Sequence, residues 1–472
     1  LPELGLTYAL IILLRRRVMA KIAVIGAGSL AWSATLVRDL CLTPSLGGST
    51  ITFMDIDEER LKLIHAFAKR YASETGAKLI FEKTLNRGAA IRDSDVIINT
   101  AMAGGHSYYE KMRSVSEKHG YYRGINSVEW NMVSDYHTIW GYYQFKLALD
   151  IARDIEDLSS NAWLLQLANP VFELTTLISR ETRAKVIGLC HGHLGYMEIA
   201  SILGLDVRDI DFEAIGFNHV IWLTRFKHRG EDAYPLIDDW IKNNAEEYWR
   251  IWREEQVNPF NIQMSPAAVD MYKVYGLFPI GDTVRGGTWK YHWNLETKRK
   301  WYGSIAGPDS ETGWEVYLNM LKHNFDTIAS AIGGEAPLTT VLPPQLSLES
   351  VVPIINSLVN DEEGVYQVNV LNNGVIEGLP DGVAVEIPAK INGKGVHRMR
   401  VEKLPKRVIN YVLRPRMMRM EWALEAFLEG GRDTLFEWLI TDPRTKSTEQ
   451  VNQVIDDLLS MPENLEMAKH FK

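Results

Sequence analysis

Two groups of residues in this chain have the types and order needed for chemistry. The first is Gly26-x-Gly28-x-x-Ala31, which follows the apolar run Lys21–Ile25 and precedes a second run, Thr50–Met54, that ends at Asp55. The first glycine permits a tight turn and the second lets backbone approach a pyrophosphate. The small third residue lets the next helix pack on the strand, with its N–H groups toward phosphate. Asp55 would accept hydrogen bonds from an adenosine ribose, which favours NAD over its 2′-phosphorylated form. Gly26, Ala27, Gly28, Ser29, Leu30 and Asp55 are therefore candidate cofactor-binding positions. A glycine-rich structural turn with a capping aspartate would read the same way. Asn99 and Asn126 could add cofactor contacts or serve as turn residues.

The second group sits where further apolar runs end. Asn169 follows residues 162–167, Cys190 follows residues 185–189, and His219 lies in Gly216-Phe217-Asn218-His219. Open parallel sheets bind ligands beyond the carboxyl ends of their strands. A cysteine with a histidine suits a divalent transition metal, and two protein ligands would leave coordination positions for substrate and water. From spacing alone, a buried cysteine and a satisfied histidine account for such residues more often than a metal does.

The elements that must position these groups alternate. Strand, glycine turn, a helix over residues 31–42 and strand are followed by a helix over 58–71 and a strand over 95–100. A helix over 136–158 and strands over 162–167 and 185–189 continue the pattern. That predicts an α/β fold, an N-terminal Rossmann-like doubly wound parallel sheet over residues 19–210. Beyond about 211 the texture becomes aromatic, with strands expected at 365–371 and 383–391 and a helical pattern over 406–429, so residues 211–472 read as a C-terminal mixed α+β domain for substrate binding and oligomerisation. Residues 1–18 read as a non-native or mis-started extension before Met19, with a weak membrane anchor as the alternative; their apolar stretch is far shorter than the roughly 20 residues of a span. The 472 residues are 46% hydrophobic and 24% charged, which excludes a disordered chain. A net charge of −9 argues against general nucleic-acid binding, and two cysteines, Cys41 and Cys190, exclude a disulfide framework. The expected setting is cytoplasmic, with no membrane and no nucleic-acid partner.

Five segments, GAGSLAW (26–32), LANPVFE (167–173), LCHGHLG (189–195), GFNHVIWL (216–223) and GLFPIGDTVR (276–285), together resemble glycoside hydrolase family 4. These glycosidases use NAD and a divalent metal, commonly Mn2+. The resemblance extends from about Lys21 to the C-terminus and includes TDPRTK at 441–446. It implies that Cys190 and His219 are metal ligands and that Asn169 contacts substrate. A Cys190-His191-Gly192 start resembles the α-glucuronidase group and departs from the 6-phosphoglycosidase pattern.

The family's chemistry is an exception to the two-carboxylate scheme of most glycosidases. It implies oxidation at C3, elimination across C1–C2, water addition and re-reduction, so that NAD is catalytic. By motif position Asp282 is the candidate base, with an Asx-turn cap as the alternative. His191 could be the acid on the departing oxygen or merely orient the site, and His193 is weaker for either role. A uronic acid would bring a carboxylate that Arg285 could bind bidentately, with Lys290 and His292 nearby. A surface ion pair is the alternative for Lys290. Asp135 could cap the helix that follows it or contact substrate. The expected activity is thus α-glucuronide hydrolysis, the alternatives being an α-galacturonidase or α-glucosidase of the same mechanism, or an NAD-dependent sugar dehydrogenase. The expected partners are a small glycoside or uronide and a second copy of the chain, as a homodimer or larger homo-oligomer.

Overall fold

In a computed structural model, described for residues 19–122, 137–255, 262–307 and 310–472, Lys21–Ile25 forms β1 with every residue after Lys21 buried. Two further candidate positions, Asn126 and Asp135, lie outside the described residues. An apolar strand covered on both faces belongs at the centre of a parallel sheet. β1 pairs in parallel with β2 (Thr50–Met54), and β2 in parallel with β3 (Ile80–Thr84). β4 (Val96–Asn99) lies beyond β1, giving the order β4-β1-β2-β3. The crossovers are α1 (Leu30–Cys41) and α2 (Glu58–Thr75). Asp57 starts α2 by accepting from the N–H groups of Glu59 and Arg60, and Gly76 ends it at φ +71°. At the start of α1, Ser29 makes no side-chain cap, which leaves backbone donors for an anion.

Residues 19–98 pack with residues 325–366 and 390–397 as one compact unit, so this unit does not end at a single point in the sequence. Long-range hydrogen bonds explain the recruitment. Arg70 donates to the carbonyls of Ala331 and Ile332, each at 3.2 Å, and Tyr71 donates to that of Leu342 at 2.9 Å. Asp39 accepts from the N–H of Ser347 at 3.0 Å.

The second unit comprises the described residues of 99–324, 367–389 and 398–472. Within it α3 (His137–Leu158) precedes β5 (Trp163–Gln166), and α4 (Val171–Glu181) carries the chain to β6 (Lys185–Gly188), which pairs in parallel with β5. Further strands then add in antiparallel fashion. β7 (Ile210–Phe217) and β8 (Val220–His228) form a hairpin, and β9 (Phe278–Ile280) pairs with β8. β10 (Gly364–Leu371) and β11 (Ala384–Asn392) complete the order β9-β8-β7-β11-β10-β6-β5. Asn369 of β10 faces Gly188 of β6, and Glu386 of β11 faces Gly216 of β7. The C-terminal strands therefore sit between the two segments that carry Cys190 and His219.

The expected helical stretch over 406–429 is interrupted: a π-helical turn, Ile409–Leu413, separates Lys406–Val408 from α5 (Arg414–Glu429). Pro415, in the first turn of α5, has no N–H to donate and its ring crowds the preceding turn, which the wider turn accommodates. Among the described residues no helix is long and apolar enough to cross a membrane.

Candidate active site

The glycine turn folds around Asp55. Gly26 adopts φ +87°, and the N–H groups of Gly26 and Ala27 both donate to the carbonyl of Met54, at 3.0 and 3.1 Å. Asp55 Oδ2 accepts from the Gly28 N–H at 2.6 Å and Oδ1 from the Asp57 N–H at 2.9 Å. Each carboxylate oxygen can accept a second bond, so this half-buried aspartate still has acceptor capacity for ribose hydroxyls. Position 28 favours glycine, since a Cβ there would lie 2.7 Å from Asp55 Oδ2 and the carboxylate would have to shift. Ser29 and Leu30 open α1 directly after this turn.

Asn99 makes the contacts of a turn residue, one of its two expected readings. It is fully buried at the end of β4; its amide donates to Gln166 Oε1 at 2.9 Å, and its side-chain oxygen accepts from the Ala101 N–H at 3.1 Å. Its own carbonyl accepts from the N–H groups of Leu167 and Ala168. Those bonds hold the turn that leads to Asn169, which is half-buried and joined to Pro170 by a cis peptide.

The Cys190 and His219 segments meet in the second unit. The Gly192 N–H donates to Cys190 Sγ at 3.4 Å, and Asn218 is a side-chain hydrogen-bond partner of the same sulfur. His219 is buried and sits at φ +61°, in the left-handed region, at the tip of the β7–β8 hairpin. Its Nδ1 lies 3.0 Å from Asp282 Oδ2. The turn bearing Asp282 is held against this hairpin by two devices. Thr283 Oγ1 accepts from the Ile221 N–H at 2.8 Å and donates within 2.7 Å of the Ile221 carbonyl. Gly286 packs so closely that a Cβ would stand 2.3 Å from the His219 carbonyl oxygen. Gln263 pins the preceding residue, accepting from the Gly281 N–H at 2.9 Å and donating to its carbonyl at 3.2 Å.

Arg285, expected as a partner for a sugar carboxylate, is engaged with Asp282. Its side chain is 1% exposed, and both Nε, at 3.0 Å, and a terminal nitrogen donate to Asp282 Oδ1. Asp282 thus accepts from Arg285 on one oxygen and has His219 Nδ1 3.0 Å from the other, and its side chain makes no cap to the turn that follows. Lys290 pairs with Asp270, as the surface reading had it, and His292 is buried beside Trp289 with ring centroids 4.9 Å apart. His191 is exposed at the turn after Cys190 and close enough to act electrostatically on Glu386; His193 is buried and stacks parallel to Phe212.

This donor set suits a borderline divalent metal. Burial, and next the charge of Glu386, push the Cys190 thiol well above its ordinary range, while the Gly192 N–H and Asn218 oppose them. A buried cysteine of this kind becomes a thiolate when a cation supplies the compensating charge. A carboxylate on Nδ1 is the usual second partner of a metal-ligating imidazole, fixing its tautomer and directing Nε2 to the metal. Among the described residues no set of three His, Cys, Asp or Glu side chains is arranged to hold a metal, so Cys190 and His219 would form a two-ligand site with positions left for substrate and water.

Sequence reasoning missed Glu386, Asn218, Asn369 and Glu198. Glu386 is 1% exposed, and burial raises its carboxyl to about 7 against the opposing bonds of Asn218, Asn369 and Gln367. Glu198, which accepts from the Gln263 N–H, is likewise raised by burial to about 7. A lone glutamate inside the strand Ala-Val-Glu-Ile was the available signal for Glu386.

The first unit carries a dinucleotide-type glycine turn, and in the second Cys190, His219 and Asp282 lie together. Residues 21–205 match the model of family 4 glycosyl hydrolases and residues 214–445 that of the family's C-terminal domain. The chain belongs to family 4 of the glycosyl hydrolases. It is 26% identical over 454 residues to a Bacillus subtilis protein described as a probable 6-phospho-beta-glucosidase, covering 93% of this chain and 95% of that one. It is 24% identical over 460 residues to an alpha-galacturonidase of Lachnoclostridium phytofermentans, with the same coverage. Its fold matches a 6-phospho-alpha-glucosidase from gut microorganisms solved with NAD and Mn2+, at a TM-score of 0.74, 19% identity and coverage of 94% and 99%.

Proposed function

We propose that this chain hydrolyses α-glycosidic bonds of uronides, with α-glucuronides as the leading substrates and NAD and a divalent metal, Mn2+ foremost, as cofactors. The observation that carries the catalytic reading is the convergence of Cys190, His219 and Asp282. Support for the cofactors comes from the Gly26–Asp55 turn, from this donor set and from the NAD and Mn2+ held by a solved protein of the same fold. When bound, NAD would take hydride from C3 of the sugar and later return it, and the metal would polarise the C3 oxygen, which acidifies the C2 hydrogen.

The chain's own residues supply the rest. Cys190 and His219 would hold the metal. Asp282 would receive the C2 proton, and Arg285 keeps its carboxylate aimed beside the metal pair. His191, exposed at the mouth of the Cys190 turn, would protonate the departing oxygen. Asn169, held by the Asn99 turn, would bond a sugar hydroxyl. The uronide class rests on Cys190-His191-Gly192, and Arg285 no longer supports it because it serves Asp282. A galacturonide reading, differing only at C4, is favoured by the alpha-galacturonidase relative.

Release of 4-nitrophenol from its α-glucuronide and α-galacturonide in deuterated buffer, with and without NAD and Mn2+, tests this. The expected result is turnover that needs both cofactors and places deuterium at C2 of the product. NADH accumulating without 4-nitrophenol would instead mark a dehydrogenase.

A further inference from the structure

Asp282 and Arg285 form a matched pair, so their charges cancel beside the metal ligands. Glu386 has no guanidinium partner among the described residues, and the exposed His191 acts on it electrostatically from the Cys190 turn. It is buried on β11, and its Oε2 accepts only amides, from Asn218 at 3.0 Å and from Asn369 at 3.3 Å. Gln367 is a further amide neighbour of the carboxylate, and Oε1 is buried without a hydrogen bond of ordinary geometry among the described residues. Buried carboxylates are ordinarily paired with a cation or bound to a metal, because an unbalanced buried charge is costly. Asn218 links Glu386 to the site twice: it is a hydrogen-bond partner of Cys190 and the residue directly before His219. Asn369 ties the same carboxylate to the end of β6, where it pairs with Gly188 two residues before Cys190.

We propose that Glu386 is a positioning residue for a divalent cation at Cys190 and His219, holding both ligand segments through Asn218 and Asn369 and supplying the second negative charge that balances the ion. A dication bound by one thiolate and one neutral imidazole retains a unit of positive charge. Glu386 is the carboxylate of this cluster whose charge is not already offset by a guanidinium. The proposal rests on the reading of Cys190 and His219 as metal ligands.

The test is Mn2+ affinity of the full-length reduced protein, read by loss of the free-ion electron paramagnetic resonance signal, for wild type, Glu386→Gln and Cys190→Ser. NAD affinity, read by fluorescence, reports whether each variant is folded. Glu386→Gln keeps an oxygen to accept from Asn218 and Asn369 but removes the charge. The expected result is Mn2+ binding weakened at least tenfold, with NAD affinity unchanged. Glu386→Gln that binds Mn2+ within twofold of wild type, while Cys190→Ser loses it, overturns the role of Glu386 alone. Cys190→Ser that binds Mn2+ as wild type does overturns the ligand pair itself, and the proposal with it.

Discussion

Arg285→Met is the sharpest test of the active-site geometry. The substitution keeps an apolar stem of similar reach and removes both donors to Asp282 Oδ1. Deleting one partner of a buried ion pair costs about 3–5 kcal/mol when the remaining charge is fully enclosed. Arg285 is enclosed, but the Asp282 side chain is 24% exposed and keeps His219 as a neighbour. Water reaches part of the released charge, so the loss should fall to about 2–3 kcal/mol. If the same energy orients Asp282 in the transition state, kcat/KM falls by about 30- to 160-fold. The assay is steady-state kinetics on a matched pair, the 4-nitrophenyl α-glucuronide and the neutral α-glucoside, at saturating NAD and Mn2+. A positioning role predicts the same factor on both substrates, carried by kcat. Arg285→Lys, which keeps charge without the planar fork, should recover part of it. A loss confined to the uronide, with the glucoside within threefold of wild type, would refute this reasoning and return Arg285 to the substrate's carboxylate.

Three other perturbations follow from single contacts. Gly28→Ala places a Cβ 2.7 Å from Asp55 Oδ2, an overpacking of about 1–3 kcal/mol, and should weaken NAD at least tenfold by calorimetry while leaving Mn2+ affinity unchanged. Thr283→Val leaves the buried Ile221 N–H without its acceptor, so a loss of about 1–3 kcal/mol in stability and a lower kcat are expected by denaturation and kinetics. Glu198 is raised by burial from 4.5 to about 7, so the folded state favours its neutral form. Its contribution is fully present below pH 4.5 and is lost as pH rises through 7, by at most about 3 kcal/mol. Glu198→Gln should therefore match wild type in thermal midpoint near pH 4.5 and exceed it at pH 8; equal midpoints at both would show that the carboxyl is not desolvated.

What the sequence revealed and what it withheld divide along a physical line. β1, β2, β5 and β6 were legible because largely buried parallel strands are near-continuous apolar runs, and the turns after them carry glycine, aspartate, asparagine or cysteine. β3 was not, since Ile-Phe-Glu-Lys-Thr is mostly solvated and has no apolar face to betray it. The β7–β8 hairpin escaped because its tip uses Asn218 and His219, with the histidine itself in the left-handed conformation, where a glycine would have announced a turn. The candidate ligands could be named from local motifs, whereas the partner of each was set by long-range pairing. Arg285 stands three residues from Asp282, one turn of helix away, so their contact was open to local reasoning; an expected sugar carboxylate displaced it. Glu386 was beyond such reasoning, because it reaches the Cys190 region only by the insertion of β10 and β11 between β6 and β7. A polar residue breaking an apolar strand is the trace such a long-range role leaves in sequence. By that reasoning the buried Asn369 and Glu386, one on each inserted strand, are where the C-terminal segment comes to the Cys190 turn, whereas Cys190, His219 and Asp282 all lie before residue 290.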